Sequence, residues 1–314
     1  MYFKFRTLSS IVIFTLLITS VYATSNPLQA FATTQTLYGA TGRGFSSLYQ
    51  INPTSGDAII IGEIKNGADP NPIGVSGLDF FGGVLYGAGP GPRGSTIASM
   101  ETIDPSTGAI ISLFNTIPKC ADISFSPING KLYCISPGAS TLYTLEKTTG
   151  VATKVGDTGL AAGGGVGGAL AVSPSDGTIF AGTFFALFTL SPDDGTILTA
   201  KSWVFPSDWS DVNCRPSAFA FDNANTLYAS FICADKLSGE DIGAFLATVN
   251  TENGQVTQIG PTVASLDAIA FAPLVTPPSI PEFPFSFSLV IMFVVVAAVY
   301  MGMRQKMTFG KPRL

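Results

Sequence analysis

Short runs of alternating apolar and polar residues recur through the central part of the chain, and each ends in a turn. The clearest type alternates over about five residues and stops at a turn rich in Pro, Ser, Thr, Asp and Gly. Pro presets one backbone angle, the polar side chains bond back to the main chain, and the closing Gly tolerates a positive φ. Five versions occur, at residues 48–56, 101–108, 142–150, 187–195 and 246–254. The pattern predicts a repeated unit of β-strands.

Each repeat contains further strand patterns besides this one. An apolar–small–apolar run comes first, at residues 78–80, 123–125, 170–172, 219–221 and 269–271. A strand centred on an aromatic residue follows, and another strand comes after the closing glycine. Four antiparallel strands at a spacing of roughly 45 residues are typical of a β-propeller blade. No long amphipathic helical pattern interrupts them, so we expect an all-β fold.

The order of the patterns at the two ends of this region predicts how the ring closes. Residues 37–39 match a second strand without its first, and residues 266–272 match a first strand without its successors. Together these segments would complete one blade. The sequence therefore predicts a β-propeller of five four-stranded blades closed by terminal strand exchange. Six blades are the alternative, if residues 199–213 contain weak strands.

The repeats resemble those of the YVTN and NHL propellers. The shared features are a Ser-Pro-Asp-Gly-like turn, as at residues 173–177, a Leu-Tyr strand, as at 132–133, and an Ile-Asp-x-x-Thr-Gly strand, as at 103–108. The resemblance covers nearly all of residues 37–273. It implies the propeller fold and no particular activity.

The N-terminal region has the pattern of an export signal. Lys4 and Arg6 precede an apolar run over residues 11–21, and the small residues Ala30 and Ala32 flank Phe31. This order fits a signal peptide of residues 1–32. Cleavage after Ala23 and a retained N-terminal anchor are the alternatives.

The C-terminal region has the pattern of a membrane anchor. Residues 283–303 carry no charged side chain, and this segment is long enough to cross a bilayer as a helix. Four Lys or Arg residues follow in the tail 304–314. The positive-inside rule places that tail in the cytoplasm. Residues 33–275 would then form an extracellular propeller, with residues 276–282 as a Pro-rich linker.

The tripeptide Pro281-Glu282-Phe283, followed by this apolar segment and basic tail, resembles the PEF-type sorting signals of archaeal surface proteins. Archaeosortases and exosortases read such signals. The resemblance implies an archaeosortase-like processing enzyme, cleavage near the tripeptide and transfer of the mature protein to a lipid. A plain single-pass anchor is the alternative, and both place the protein at the cell surface.

The charge of the central region limits the classes of molecule that we expect it to bind. Residues 33–275 contain 10 Lys and Arg against 20 Asp and Glu. Nucleic acids and anionic lipids require clustered cations, so we expect neither as a partner.

Four cysteines occupy equivalent places in two repeats. A hairpin that pairs Asp222 with Thr226 would put Cys214 opposite residue 234, next to Cys233. This register predicts the disulfide Cys214–Cys233, and the equivalent places of the other two cysteines, offset by about two residues, predict Cys120–Cys134. An exported location permits both.

The absence of histidine removes several kinds of catalysis. The chain has no His, which excludes Ser-His-Asp and Cys-His catalysis and histidine-based metal sites. We expect no metal, no cofactor and no enzymatic activity. The alternative is a carboxylate-dependent glycan hydrolase or lyase, which would need Asp79, Asp122 and Asp267 together at one mouth of the channel.

The residues at the centre of the apolar–small–apolar runs are expected to face that channel. They are Asp79, Ser124, Ala171, Ala220 and Ala270.

Three aromatic residues cluster in one connection between repeats. Trp203, Phe205 and Trp209 would either contact a ligand, such as a sugar ring, or fill the gap between adjacent blades.

The predicted function is that of an exported, surface-anchored binding, adhesion or envelope module with a carbohydrate or protein ligand.

Overall fold

The computed structural model describes residues 35–42, 46–67, 73–89, 91–92, 98–160 and 168–274. The predicted signal peptide, linker, sorting motif and transmembrane segment lie outside these residues. Within them, no helix is long and apolar enough to cross a membrane.

The described residues form strands joined mostly by tight turns. The strands are β1 (Leu37–Thr41), β2 (Ser47–Ile51), β3 (Ala58–Glu63), β4 (Ile73–Gly74), β5 (Gly77–Phe81), β6 (Val84–Gly89), β7 (Gly91–Pro92), β8 (Ala98–Ile103), β9 (Ile110–Ile117), β10 (Asp122–Phe125), β11 (Leu132–Ile135), β12 (Thr141–Leu145), β13 (Ala152–Asp157), β14 (Ala169–Val172), β15 (Ile179–Gly182), β16 (Ala186–Leu190), β17 (Ile197–Ser202), β18 (Val212–Phe221), β19 (Leu227–Asp235), β20 (Asp241–Val249), β21 (Val256–Thr262) and β22 (Leu266–Phe271). Short 3-10 turns occur at Pro137–Ala139 and Ser207–Trp209.

Five four-stranded antiparallel sheets form the blades of a propeller. From the innermost strand outwards they are β22-β1-β2-β3 (blade 1), β5-β6-β8-β9 (blade 2), β10-β11-β12-β13 (blade 3), β14-β15-β16-β17 (blade 4) and β18-β19-β20-β21 (blade 5). The short strands β4 and β7 pair beside blade 2. Five blades are thereby confirmed, because residues 199–213 contain the end of β17, a 3-10 turn and the start of β18 rather than a sixth blade.

The predicted strand exchange closes the ring. Strand β22 pairs with β1 in antiparallel register, with Phe271 opposite Leu37. The pairing continues beyond the strands, since the Ala272 N–H donates to the Thr36 carbonyl at 2.8 Å and the Gln35 amide donates to the Ala272 carbonyl at 2.9 Å. The two ends of the propeller region therefore hold each other in one sheet.

The apolar core is divided among the gaps between blades. Five clusters of buried residues fill the interfaces of blades 1 and 2, 2 and 3, 3 and 4, 4 and 5, and 5 and 1. A single blade buries little by itself, so the blades depend on their neighbours for stability.

Both predicted disulfides are present, and one of them shows an unexpected register. Cys120 bonds to Cys134 and Cys214 bonds to Cys233. The predicted register of Cys214 was wrong by one residue: it lies directly opposite Cys233, because a β-bulge shifts the pairing between Pro216 and Ala218. Ser217 is the extra residue, and its hydroxyl bonds the Leu266 carbonyl of blade 1 at 2.7 Å.

Candidate functional site

The five innermost strands give the propeller two different ends. Strands β5, β10, β14, β18 and β22 lie side by side around the axis and run in the same direction. Four of them finish at tight hairpin turns, and β22, the last strand, finishes at the same end; we call that end the hairpin mouth. They begin at the opposite end, where the chain passes from one blade to the next, and we call that end the loop mouth.

The hairpin mouth contains a cavity of about 260 Å³. Its lining residues are Gln35, Leu78, Asp79, Phe80, Phe81, Ser124, Phe125, Pro127, Val172, Pro174, Phe219, Ala220, Phe221, Asp222, Asn223, Phe271 and Pro273. Apolar and aromatic surface dominates, with a small number of polar groups among it. This composition is typical of ligand pockets.

Phenylalanines contribute six of the lining residues, and four of the five innermost strands end in Phe. They are Phe81 in β5, Phe125 in β10, Phe221 in β18 and Phe271 in β22, whereas β14 ends in Val172. The repeated apolar–small–apolar run carries most of this signal, since it finishes in Phe in four of its five copies; in β5 the run finishes at Phe80, one residue before the end of the strand. That run predicted the strands and the channel-facing residues at their centres, whereas the aromatic wall formed by its final residues was missed.

A second layer of aromatic rings supports the wall. Phe81 stacks on Phe125 with their ring centroids 4.6 Å apart, and Tyr86 meets the edge of Phe125 at 5.2 Å. Tyr228 packs against Phe271 at 4.9 Å. Because each ring is held by another, the cavity is formed before any ligand arrives.

Asp79 lies in the wall of this cavity and ties two blades together. Its Oδ2 accepts hydrogen bonds from the Phe125 N–H at 2.6 Å and the Ser124 hydroxyl at 3.1 Å, and its Oδ1 accepts one from the Phe80 N–H at 2.7 Å. The residue as a whole keeps some solvent-exposed surface, but protein atoms enclose its carboxyl group. This enclosure raises its pKa to about 6, and the hydrogen bonds lower it by less.

Asp122 lies deeper and connects three innermost strands. It is fully buried. Its Oδ2 accepts hydrogen bonds from the Leu170 N–H of β14 at 2.9 Å and the Phe219 N–H of β18 at 3.2 Å. Burial raises its pKa well above the usual range, and the nearby Asp79 carboxyl adds to this. Asp122 satisfies backbone donors of innermost strands that have no partner in their own sheets.

Asp267 lies at the other end of the propeller. It lines a cavity of about 230 Å³ at the loop mouth, with Gly42, Ser76, Lys119, Cys120, Ala121, Pro137, Gly168, Arg215 and Ser217. The three carboxyl groups that a hydrolase would need at one mouth are therefore divided between the hairpin mouth, the interior and the loop mouth.

The small residues at the centres of the first strands are placed in two ways. Asp79, Ser124 and Ala220 line the hairpin-mouth cavity. Ala171 and Ala270 do not line it, and both are buried between adjacent blades.

The aromatic cluster of Trp203, Phe205 and Trp209 packs between blades 4 and 5. All three rings contact Phe231 at centroid distances of 5.6–5.7 Å. Both indole N–H groups have partners, Trp203 with the Thr183 carbonyl at 2.9 Å and Trp209 with the Gln258 side chain at 2.7 Å. This arrangement favours the interpretation that the cluster fills the gap between blades.

No cluster of potential metal ligands occurs among the residues that the structure describes.

No protein-family model matches the chain, and no curated protein matches it. Solved structures with similar folds include a chain of a nidogen/laminin complex, which is 11% identical with a TM-score of 0.46 over 76% of this chain and 98% of that one. A Bacteroides thetaiotaomicron protein of unknown function is 12% identical with a TM-score of 0.45 over 75% of this chain and 60% of that one. A Bacteroides caccae protein of unknown function is 11% identical with a TM-score of 0.41 over 76% and 98%. These values are too low to carry any function across to this chain.

Proposed function

We propose that this protein is a binding module displayed at the cell surface, and that the hairpin mouth is its ligand-binding site. The observation that carries the proposal is the cavity of about 260 Å³ walled by supported phenylalanine rings. Rigid aromatic surface gives large contact area at low entropic cost, and Asp79 and Ser124 offer polar groups to orient a ligand.

Display outside the cell is supported by the cysteines and by both ends of the sequence. All four cysteines form disulfides, which persist in oxidising compartments. The export pattern of residues 1–32, the apolar segment 283–303 and the Pro281-Glu282-Phe283 tripeptide fit an adhesion or envelope protein held at the membrane by a helix or a transferred lipid.

The proposal is one of binding without turnover. Asp79 and Asp122 accept hydrogen bonds from backbone N–H groups of neighbouring blades, which fits structural carboxyl groups. Asp267 lines the other cavity.

Thermal unfolding of the full chain in a neutral detergent tests the binding site. A ligand that binds only the folded protein raises Tm by mass action. We expect some compounds of a panel of neutral sugars, amines, carboxylates and short peptides to raise Tm, and the Phe221→Leu variant to lose this response. Phe185→Leu, which alters an exposed ring remote from the hairpin mouth, is the matched control. An equal response in both variants would place binding elsewhere.

The intact mass of the native, membrane-extracted protein tests the anchoring. A mass that lacks the residues beyond Phe283 and carries an added lipid is expected for a sorted surface protein. An intact C-terminus at Leu314 would contradict sorting and leave a plain anchor.

A further inference from the structure

We propose that the hairpin mouth binds a basic segment of another protein and seats one lysine ammonium group among its phenylalanine rings. This inference rests on the proposed binding function of the mouth and names the chemistry of its ligand.

The first support is the charge of the face around the cavity. The hairpin turns of this face contain eight acidic residues, which are Asp57, Asp104, Glu146, Asp176, Asp193, Asp194, Asp222 and Glu252. The same turns contain two cations, Lys131 and Lys147. Hydrogen bonds within the turns hold the pKa of Asp104, Asp176 and Asp194 below its usual range, so these carboxylates stay charged. A face with an excess of negative charge attracts a positively charged partner.

The second support is the chemistry of the cavity itself. Its described lining residues include the carboxyl groups of Asp79 and Asp222 and no Lys or Arg. Aromatic faces attract cations through the quadrupole of the ring, and the attraction grows when the site is shielded from water. Rings and carboxyl groups together therefore suit an alkylammonium group better than a neutral or anionic one.

The third support is that these rings already hold an ammonium group of the chain itself. The Lys147 Nζ lies 3.8 Å from the centroid of Phe81 and 5.8 Å from that of Phe125. Both rings line the cavity. The Lys147 contact shows that the rings at this mouth are placed for a cation.

The size of the cavity limits what enters it. A volume of about 260 Å³ is slightly below the usual range of small-molecule pockets, roughly 300–1,000 Å³. It accommodates one long side chain, while the acidic turns around it contact further basic residues of the same segment.

Fluorescence anisotropy with the full chain in neutral detergent tests the inference. The probe is a labelled Gly-Lys-Gly-Lys-Gly-Lys-Gly peptide, and its fully Nε-acetylated form is the control. We expect saturable binding of the lysine peptide that weakens as salt is added, and little binding of the acetylated peptide. Equal binding of the two peptides, or no binding of the lysine peptide, would overturn the inference.

Charge variants separate the hairpin face from the rest of the surface. A triple variant that neutralises three acids of this face, Asp193→Asn, Asp222→Asn and Glu252→Gln, should bind the peptide about tenfold more weakly, since each ion pair at the surface contributes modestly. Asn at position 222 retains the oxygen that accepts the Ala224 N–H. The matched control neutralises three exposed acids outside these turns, Asp208→Asn, Asp211→Asn and Glu240→Gln. An equal loss in the control would mean attraction to the net charge alone.

Lysine variants test the seat directly. Lys147→Met frees the Phe81 ring and removes a positive charge, so it should strengthen peptide binding. Lys131→Met removes the same charge from the same face without freeing a ring, and should strengthen binding less. Equal effects of the two variants on peptide binding would contradict the proposal that the phenylalanine rings bind a lysine ammonium group.

The outcomes also separate this inference from the binding function on which it rests. If a neutral sugar raises Tm and Phe221→Leu abolishes that response, the mouth binds a ligand but the cationic class is wrong. If no compound or peptide binds at the mouth, both proposals fail.

Discussion

Glu101 occupies a position that other repeats fill with an aromatic ring. It faces Gly87 across the sheet, in the place that Tyr49, Tyr143 and Phe188 take in other blades. The side chain is fully buried, and neither carboxyl oxygen has a partner in hydrogen-bond geometry among the described residues. Burial raises its pKa to about 8, and the Ser99 hydroxyl lowers it by less. The folded protein therefore keeps Glu101 protonated at neutral pH.

The stability of the protein should fall with rising pH because of this group. A carboxyl group with a raised pKa favours folding most below its unfolded pKa of 4.5, and this contribution is lost as pH rises to about 8. The loss is at most roughly 5 kcal/mol. Glu101→Gln should remove it, so urea unfolding at pH 5 and pH 8.5 should show a smaller pH dependence in the variant. The same dependence in both proteins would contradict this assignment.

Asp122 should stabilise the fold through its backbone partners. Asp122→Ala leaves the N–H groups of Leu170 and Phe219 without their acceptor, which should cost about 2–4 kcal/mol in the free energy of unfolding. Asp193→Asn, an exposed change, should cost little. Urea unfolding of both variants measures the difference, and equal stability would show that the innermost strands do not need Asp122.

Pairs of glycines lock adjacent blades together at the scale of the strand. The turn glycine Gly195 of blade 4 has φ of 75° and packs against Gly156 in the outermost strand of blade 3. The same pairing joins Gly108 to Gly62 in the preceding blade. A side chain at either outer-strand position would overlap a carbonyl oxygen of the facing turn, at Asp194 or Thr107. These glycines permit the blades to approach closely.

Gly156→Ala should destabilise the propeller, since the added methyl group forces the backbones of two blades apart. We expect a loss of about 1–3 kcal/mol. Ala200→Ser, an exposed change in the outermost strand of blade 4, is the control and should change stability little. Thermal unfolding compares them, and an unchanged Tm for Gly156→Ala would mean that the gap adjusts without cost.

Local chemistry explains which features of the strands were predictable. The turns and the strands around them follow from short-range patterns, so blade number, strand exchange and both disulfides were predicted. The bulge at Ser217 depends on a hydrogen bond to Leu266 of another blade, which alternation within one strand does not encode. The outer-strand glycines were missed for the same reason, because their constraint comes from the next blade.

The ring as a whole creates the candidate site. No single blade forms the hairpin mouth: its phenylalanines come from innermost strands that lie side by side only after the ring has closed. From the sequence, Trp203 and Trp209 would either contact a ligand or fill the gap between blades, and the structure packs both tryptophans between blades 4 and 5. The closed topology determines which strand ends lie together at one mouth, so the sequence of a single repeat does not predict the site.

Ring closure should depend on the last strand. A chain ending before Leu266 lacks the strand that completes blade 1 and leaves the β1 edge and the adjacent apolar clusters exposed. We expect this truncation to lose cooperative thermal unfolding, because a blade cannot bury its faces alone. A cooperative transition near that of the full chain would contradict closure by strand exchange.

Photo-crosslinking of a basic peptide to the full chain tests the central claim most directly. The labelled lysine peptide would carry a photoreactive group beside its middle lysine, and mass spectrometry would locate the crosslinks. The account predicts crosslinks to residues of the hairpin mouth, such as Phe80, Pro174 and Asn223, and competition by unlabelled lysine peptide. Crosslinks at the loop mouth, around Pro137 and Ser217, or scattered over the surface, would contradict it.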